Sequence, residues 1–119
     1  MATSVIPDIL KSSELKNIRG LIPKSSTATI TTGEGNHALI ISVCGTAGGL
    51  QGIWAAVGYY TGTTRKHVAS IDVASYSSNI SVTTTDTGYT ITNNNSSSAV
   101  RFSVLVLIDS GNEVAVTIP

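Results

Sequence analysis

Across residues 25–119 the hydrophobic and polar positions fall into short β-prone runs separated by Gly, Asn, Asp and Ser, at intervals close to those of a sandwich. The pattern predicts eight strands, over 27–32, 37–44, 51–60, 65–73, 79–84, 89–93, 99–109 and 113–118. The seventh holds the longest aliphatic run. Val104, Leu105, Val106, Leu107 and Ile108 follow one another without a polar break, too few residues to cross a bilayer. An antiparallel strand with one wet face alternates, and this one stops alternating after Ser103, so both of its faces need cover. The expectation is that one parity, either Val104, Val106 and Ile108 or Leu105 and Leu107, fills the sandwich, and that the other meets a second chain. The fold class is therefore all-β, an antiparallel β-sandwich of about eight strands, jelly-roll-like, with a short N-terminal arm.

Turn chemistry sharpens the pattern. Thr85, Asp86, Thr87 and Gly88 separate two alternating runs, and Gly88 is free to take the positive φ that a tight hairpin demands. Ser110, Gly111 and Asn112 are expected to join the central strand to the last one as a second hairpin. Gly52 and Gly58 interrupt a strand pattern, which points to a bulge or a close approach of backbone. In that strand Trp54 should share a face with Ala56 and Gly58, leaving Ile53, Ala55 and Val57 on the other.

Residues 1–24 read differently. They hold four of the seven basic residues, two of the seven acidic ones and two of the three prolines. They are expected to form an anchoring arm, with a short helix between Pro7 and Gly20 and with Ile6, Ile9, Leu10, Leu15 and Ile18 as its apolar contacts. The sandwich then occupies residues 25–119.

Composition narrows the function. Seven basic and seven acidic residues cancel, and charged residues make up only 12% of the chain, well below an ordinary soluble domain. The three arginines, Arg19, Arg65 and Arg101, are scattered, so no stripe of positive charge is available to track a nucleic-acid backbone. Six aromatic residues, 5% of the chain, make a thin core, and burial between subunits is the simplest remedy. The first residues carry neither a basic n-region nor an apolar h-region, and no membrane insertion is expected.

Catalytic and metal chemistry find little support. Cys44 is single, and His37 lies seven residues away on the same predicted strand, on the opposite face and about 23 Å distant when extended. His67 is the other imidazole. No metal-ligand spacing occurs, the acids sit singly near turns, and the Gly45–Gly49 stretch lacks the Lys-Ser/Thr of a phosphate loop. Asn79, Asn94 and Asn95 match glycosylation acceptors by composition alone. No cofactor and no enzymatic activity are expected. Sugar stacking is a further option: Trp54, Tyr59 and Tyr60 fall in one glycine-flanked segment beside Thr61, Thr63 and Thr64. The competing reading buries Trp54 in the core and puts the tyrosines at an interface.

Residues 33–109 resemble the trimeric β-sandwich knob domains of bacteriophage tail fibres and head fibres. The residues that carry the resemblance are Ala38-Leu-Ile-Ile-Ser, the aromatic strand from Trp54 to Tyr60, Asn79-Ile-Ser-Val-Thr with Gly88-Tyr-Thr-Ile-Thr-Asn-Asn-Asn, and Val104-Leu-Val-Leu. The resemblance implies a homotrimer on the virion surface that binds host-surface glycans. No heptad or collagen-like stem precedes the sandwich, which favours a short capsid-decorating or collar-attached protein bound to other virion proteins through its arm. In that setting Val104, Leu105, Val106 and Leu107 are the candidate subunit contacts. The alternative function is a soluble carbohydrate-binding module with no assembly role.

Overall fold

The computed structural model describes residues 16–46, 48–71 and 78–119. They form nine strands: β1 (Lys16–Ile22), β2 (Ser26–Thr31), β3 (His37–Gly45), β4 (Leu50–Tyr60), β5 (Thr64–Ser70), β6 (Ile80–Thr84), β7 (Gly88–Asn93), β8 (Val100–Asp109) and β9 (Ala115–Thr117). Two antiparallel sheets result, one of five strands in the order β1-β8-β3-β4-β5 and one of four in the order β6-β7-β2-β9. Their inner faces close over one core, which makes the domain a β-sandwich.

Period-two alternation builds that core. In β8 the buried hydrophobic residues are Val100, Phe102, Val104 and Val106; in β3 they are Leu39, Ile41 and Val43; in β4 they are Trp54 and Ala56. The four-stranded sheet answers with Ala28, Ile30, Ile80, Val82, Tyr89 and Ile91. Each of the eight strands expected from the sequence has its counterpart in β2 to β9, and Trp54 shares its face with Ala56 and Gly58 as the parity required.

Four expectations are corrected. First, residues 16–22 are part of the sandwich rather than of an arm or a helix. They pair with β8 from Lys16↔Val106 to Ile22↔Val100, bury Ile22 and lean Ile18 on the core. Ile18 is thus unavailable as an anchor, while Ile6, Ile9, Leu10 and Leu15 lie outside the described residues. Second, Ser110 to Asn112 make no hairpin, because β8 and β9 belong to different sheets and β9 pairs with β2. Asn112 takes a φ of 52° to turn the chain across the sandwich.

Third, Gly88 does not use positive φ. A Cβ there would collide with the Ile30 carbonyl, so glycine is required by the close approach of β2. Fourth, Ile108 does not follow Val104 and Val106 inward. Ala38 pairs with Ile108 and Leu39 with Val106, so Leu107 is a bulge residue, and beyond it Ile108 turns outward to 54% exposure.

Two polar residues tie the layers together. Asn93, fully buried in β7, donates through Nδ2 to the carbonyls of Ile22, Pro23 and Ser98 and accepts from the Asn95 N–H. It thereby satisfies the backbone of both crossings at that end of the sandwich. At the other end His37 of β3 reaches Tyr89 of β7, whose hydroxyl donates to the Val57 carbonyl of β4.

Candidate functional site

The two outer faces differ in chemistry. The four-stranded sheet turns Ser81 and Thr83, Thr90 and Thr92, Thr27, Thr29 and Thr31, and Thr117 to the outside. Cross-strand register sets Thr83, Thr90, Thr29 and Thr117 in one row, with Thr83 and Thr90 hydroxyls 3.0 Å apart. Threonine there supplies β propensity and stays hydrated.

The five-stranded sheet presents aliphatic side chains at the equivalent positions. One row runs Ile108, Ala38, Val57, His67, and the next runs Asn17, Leu105, Ile40, Ala55, Ala69. Leu107 adds to them from the bulge. Val57 is 46%, Leu107 43% and Leu105 38% exposed. Farther along the strands the rows become polar: Arg19, Ser103, Ser42, Ile53, then Leu21, Arg101, Cys44. The face thus has an apolar half near Ile108 and a basic, hydroxyl-bearing half near Cys44.

The candidate interface residues separate cleanly on this strand. Val104 and Val106 are fully buried inside the sandwich and cannot meet a second chain, whereas Leu105 and Leu107 stand on the outer face. The aromatic trio is not brought together. Trp54 is inside, its indole lying over Gly52, where any Cβ would strike the ring. Tyr59 and Tyr60 remain exposed at the far end of β4, with Tyr59 stacked on His67 at 6.1 Å and 15°. Thr63 and Thr64 line a neighbouring depression of about 610 Å³ with Glu34, Lys66, Asp86 and Glu113.

His37 and Cys44 point to opposite faces, inward and outward, and form no dyad. Burial lowers the His37 pKa and nearby Lys66 lowers it further, while the Gly35 backbone and Asp109 pull the other way. Tyr89 is pushed up to about 12 by burial. Burial also pulls Asp109 upward, but the Val114 and Glu113 N–H groups and Lys16, 3.4 Å away, outweigh it and hold the carboxyl low. His37 and Tyr89 join the two sheets, and Asp109 fastens β8 to the loop before β9. Among the described residues no group of three His, Cys, Asp or Glu could hold a metal, and no helix is long and apolar enough to cross a membrane.

Sequence reasoning missed Asn93 and the diagonal placement of Arg19 and Arg101 on one face. The first is one of three consecutive asparagines with no local signal. The second depends on β1 being a strand, for which the alternation of Ile18, Gly20 and Ile22 was the available signal. Searches of protein-family models, of curated proteins and of solved structures each return no match to this chain.

Proposed function

We propose that this chain is a structural subunit of a bacteriophage virion, a short head- or tail-fibre or decoration protein. Three copies pack the apolar half of the five-stranded sheet's outer face around an axis, and residues 1–15 attach the subunit to the particle. The observation that carries this reading is the contrast between the faces: Leu105, Leu107, Ile108 and Val57 stand where the other sheet has serine and threonine. Each half-exposed aliphatic has on the order of 1 kcal/mol still to gain from burial, and a contiguous apolar patch marks an interaction surface. The jelly-roll-like comparison and the trimeric symmetry belong to the same proposal and rest on the resemblance to fibre knobs.

Incorporation tests the virion role. The chain lacking residues 1–15 should fold and stay out of purified phage particles; normal incorporation of the truncated chain contradicts the anchor. A second reading, a carbohydrate-binding module, is favoured by the exposed stack of Tyr59 on His67 beside Tyr60. It requires glycan binding that Tyr59→Ala removes from a monomer.

A further inference from the structure

The basic half of the outer face holds a second feature of this sheet, one without a partner among the described residues. Arg19 on β1 and Arg101 on β8 are diagonal neighbours, since Arg19 pairs with Ser103 and Leu21 with Arg101. Diagonal positions on one face lie about 7–8 Å apart, within reach of long side chains. Neither guanidinium makes a hydrogen bond or an ion pair among the described residues, where the one salt bridge joins Lys16 to Asp109. The four described acids, Glu34, Asp86, Asp109 and Glu113, all lie in or beside the loops at the other end of the sandwich.

Both arginines line an open cavity of about 380 Å³, together with Leu21, Ser42, Cys44 and Ser103. That is the size of a small-ligand site. The hydroxyl of Ser103 donates to Asn17 at 2.6 Å, which leaves Ser42 as the free hydroxyl donor beside the guanidiniums. Two like charges side by side with no counter-charge among the described residues repel, and an oxyanion between them removes the repulsion while satisfying the planar donor forks. Leu21, exposed beside them, offers an apolar wall to the remainder of such a ligand.

We infer that this cavity is a binding site for a small ligand bearing a carboxylate, phosphate or sulfate group, held by Arg19 and Arg101 with Ser42 as an additional donor. The inference does not rest on the virion reading, because the apolar rows that would meet another subunit lie in the other half of the face. Inorganic phosphate and a sugar acid share the required chemistry.

The test is amide chemical-shift perturbation on the full chain, titrated separately with inorganic phosphate, glucuronate and glucose. Phosphate and glucuronate should shift the amides of Arg19, Ser42, Arg101 and Ser103, and glucose should not. Arg19→Gln and Arg101→Gln should each weaken binding by about tenfold, the worth of one charge-assisted pair, while Arg65→Gln on the same face leaves it unchanged. Tighter binding of glucuronate than of phosphate assigns the site to sugar acids, and the reverse assigns it to phosphoryl groups. Shifts insensitive to Arg19→Gln and Arg101→Gln, or none with either anion, overturn the proposal. So does a fall in oligomer mass in these variants without anion binding, because the arginines would then be a subunit contact.

Discussion

His37 and Tyr89 join the two sheets of the sandwich, with Nε2 of the imidazole 2.6 Å from the phenolic oxygen and the rings edge-on at 83°. The Tyr89 hydroxyl bridges the imidazole and the Val57 carbonyl, 3.1 Å away, and so links β7 to both β3 and β4. Tyr89→Phe removes the hydroxyl but keeps the ring. It should cost about 1–3 kcal/mol in urea unfolding, because the buried His37 Nε2 then loses its hydrogen bond.

The same pair predicts acid sensitivity. Burial lowers the His37 pKa, so the native state holds the imidazole neutral while the unfolded chain titrates near 6.5. Its contribution to stability is complete above the unfolded value and is lost as pH falls below it and through the lowered native one. Asp109, also lowered, adds a second loss at more acid pH, below its ordinary value of 3.8. The urea midpoint should therefore fall from pH 7 to pH 5 in the native chain. His37→Gln should flatten that dependence, and an unchanged slope would show that another group titrates there.

Asn93 is the largest polar commitment in the core. Asn93→Ala strands three carbonyls and one N–H at the crossings from β1 to β2 and from β7 to β8. The expected cost is about 2–4 kcal/mol, read as a drop in the denaturant midpoint with an unchanged slope. Amide exchange at Asn95 and Ser98 should accelerate as well.

Two glycines make room rather than turns. A Cβ on Gly58 would enter the His37 ring, and one on Gly88 would meet the Ile30 carbonyl. Gly88→Ala should destabilise more than Gly58→Ala in a His37→Ala background, where the ring is gone. Thermal unfolding of the single and double variants separates them: His37→Ala should relieve most of the Gly58→Ala defect and none of the Gly88→Ala defect.

The strands of this fold were legible because apolar parity is local. Val104 against Leu105, and Trp54 against Ile53, sort to their faces by period two alone. What escaped was set by pairing at a distance. β1 was obscured by Lys16, Arg19 and the flanking Pro23, which outweighed the alternation of Ile18, Gly20 and Ile22. The turn at Asn112 was correctly a turn, yet nothing near it reveals that β9 will add to β2 rather than return along β8. The bulge at Leu107, which sends Ile108 outward, depends on the register with Ala38 and Leu39 and so has no signature within β8. At the candidate surface the exposed parity of β8 could be framed as a choice in advance. The basic cavity could not, since it needs β1, β8 and β3 side by side.

Adjacent residues of β8 separate the role of the five-stranded sheet's outer face from that of the interior. Leu105 is 38% exposed and Val106 fully buried. The most direct measurement is light scattering coupled to size-exclusion chromatography on the native chain, Leu105→Asp and Val106→Asp. The native chain should elute at three times its 12.3 kDa mass, Leu105→Asp as a folded monomer of unchanged circular dichroism, and Val106→Asp unfolded. A native chain that is monomeric at micromolar concentration, or a Leu105→Asp variant that retains the native oligomer mass, contradicts assembly through this face.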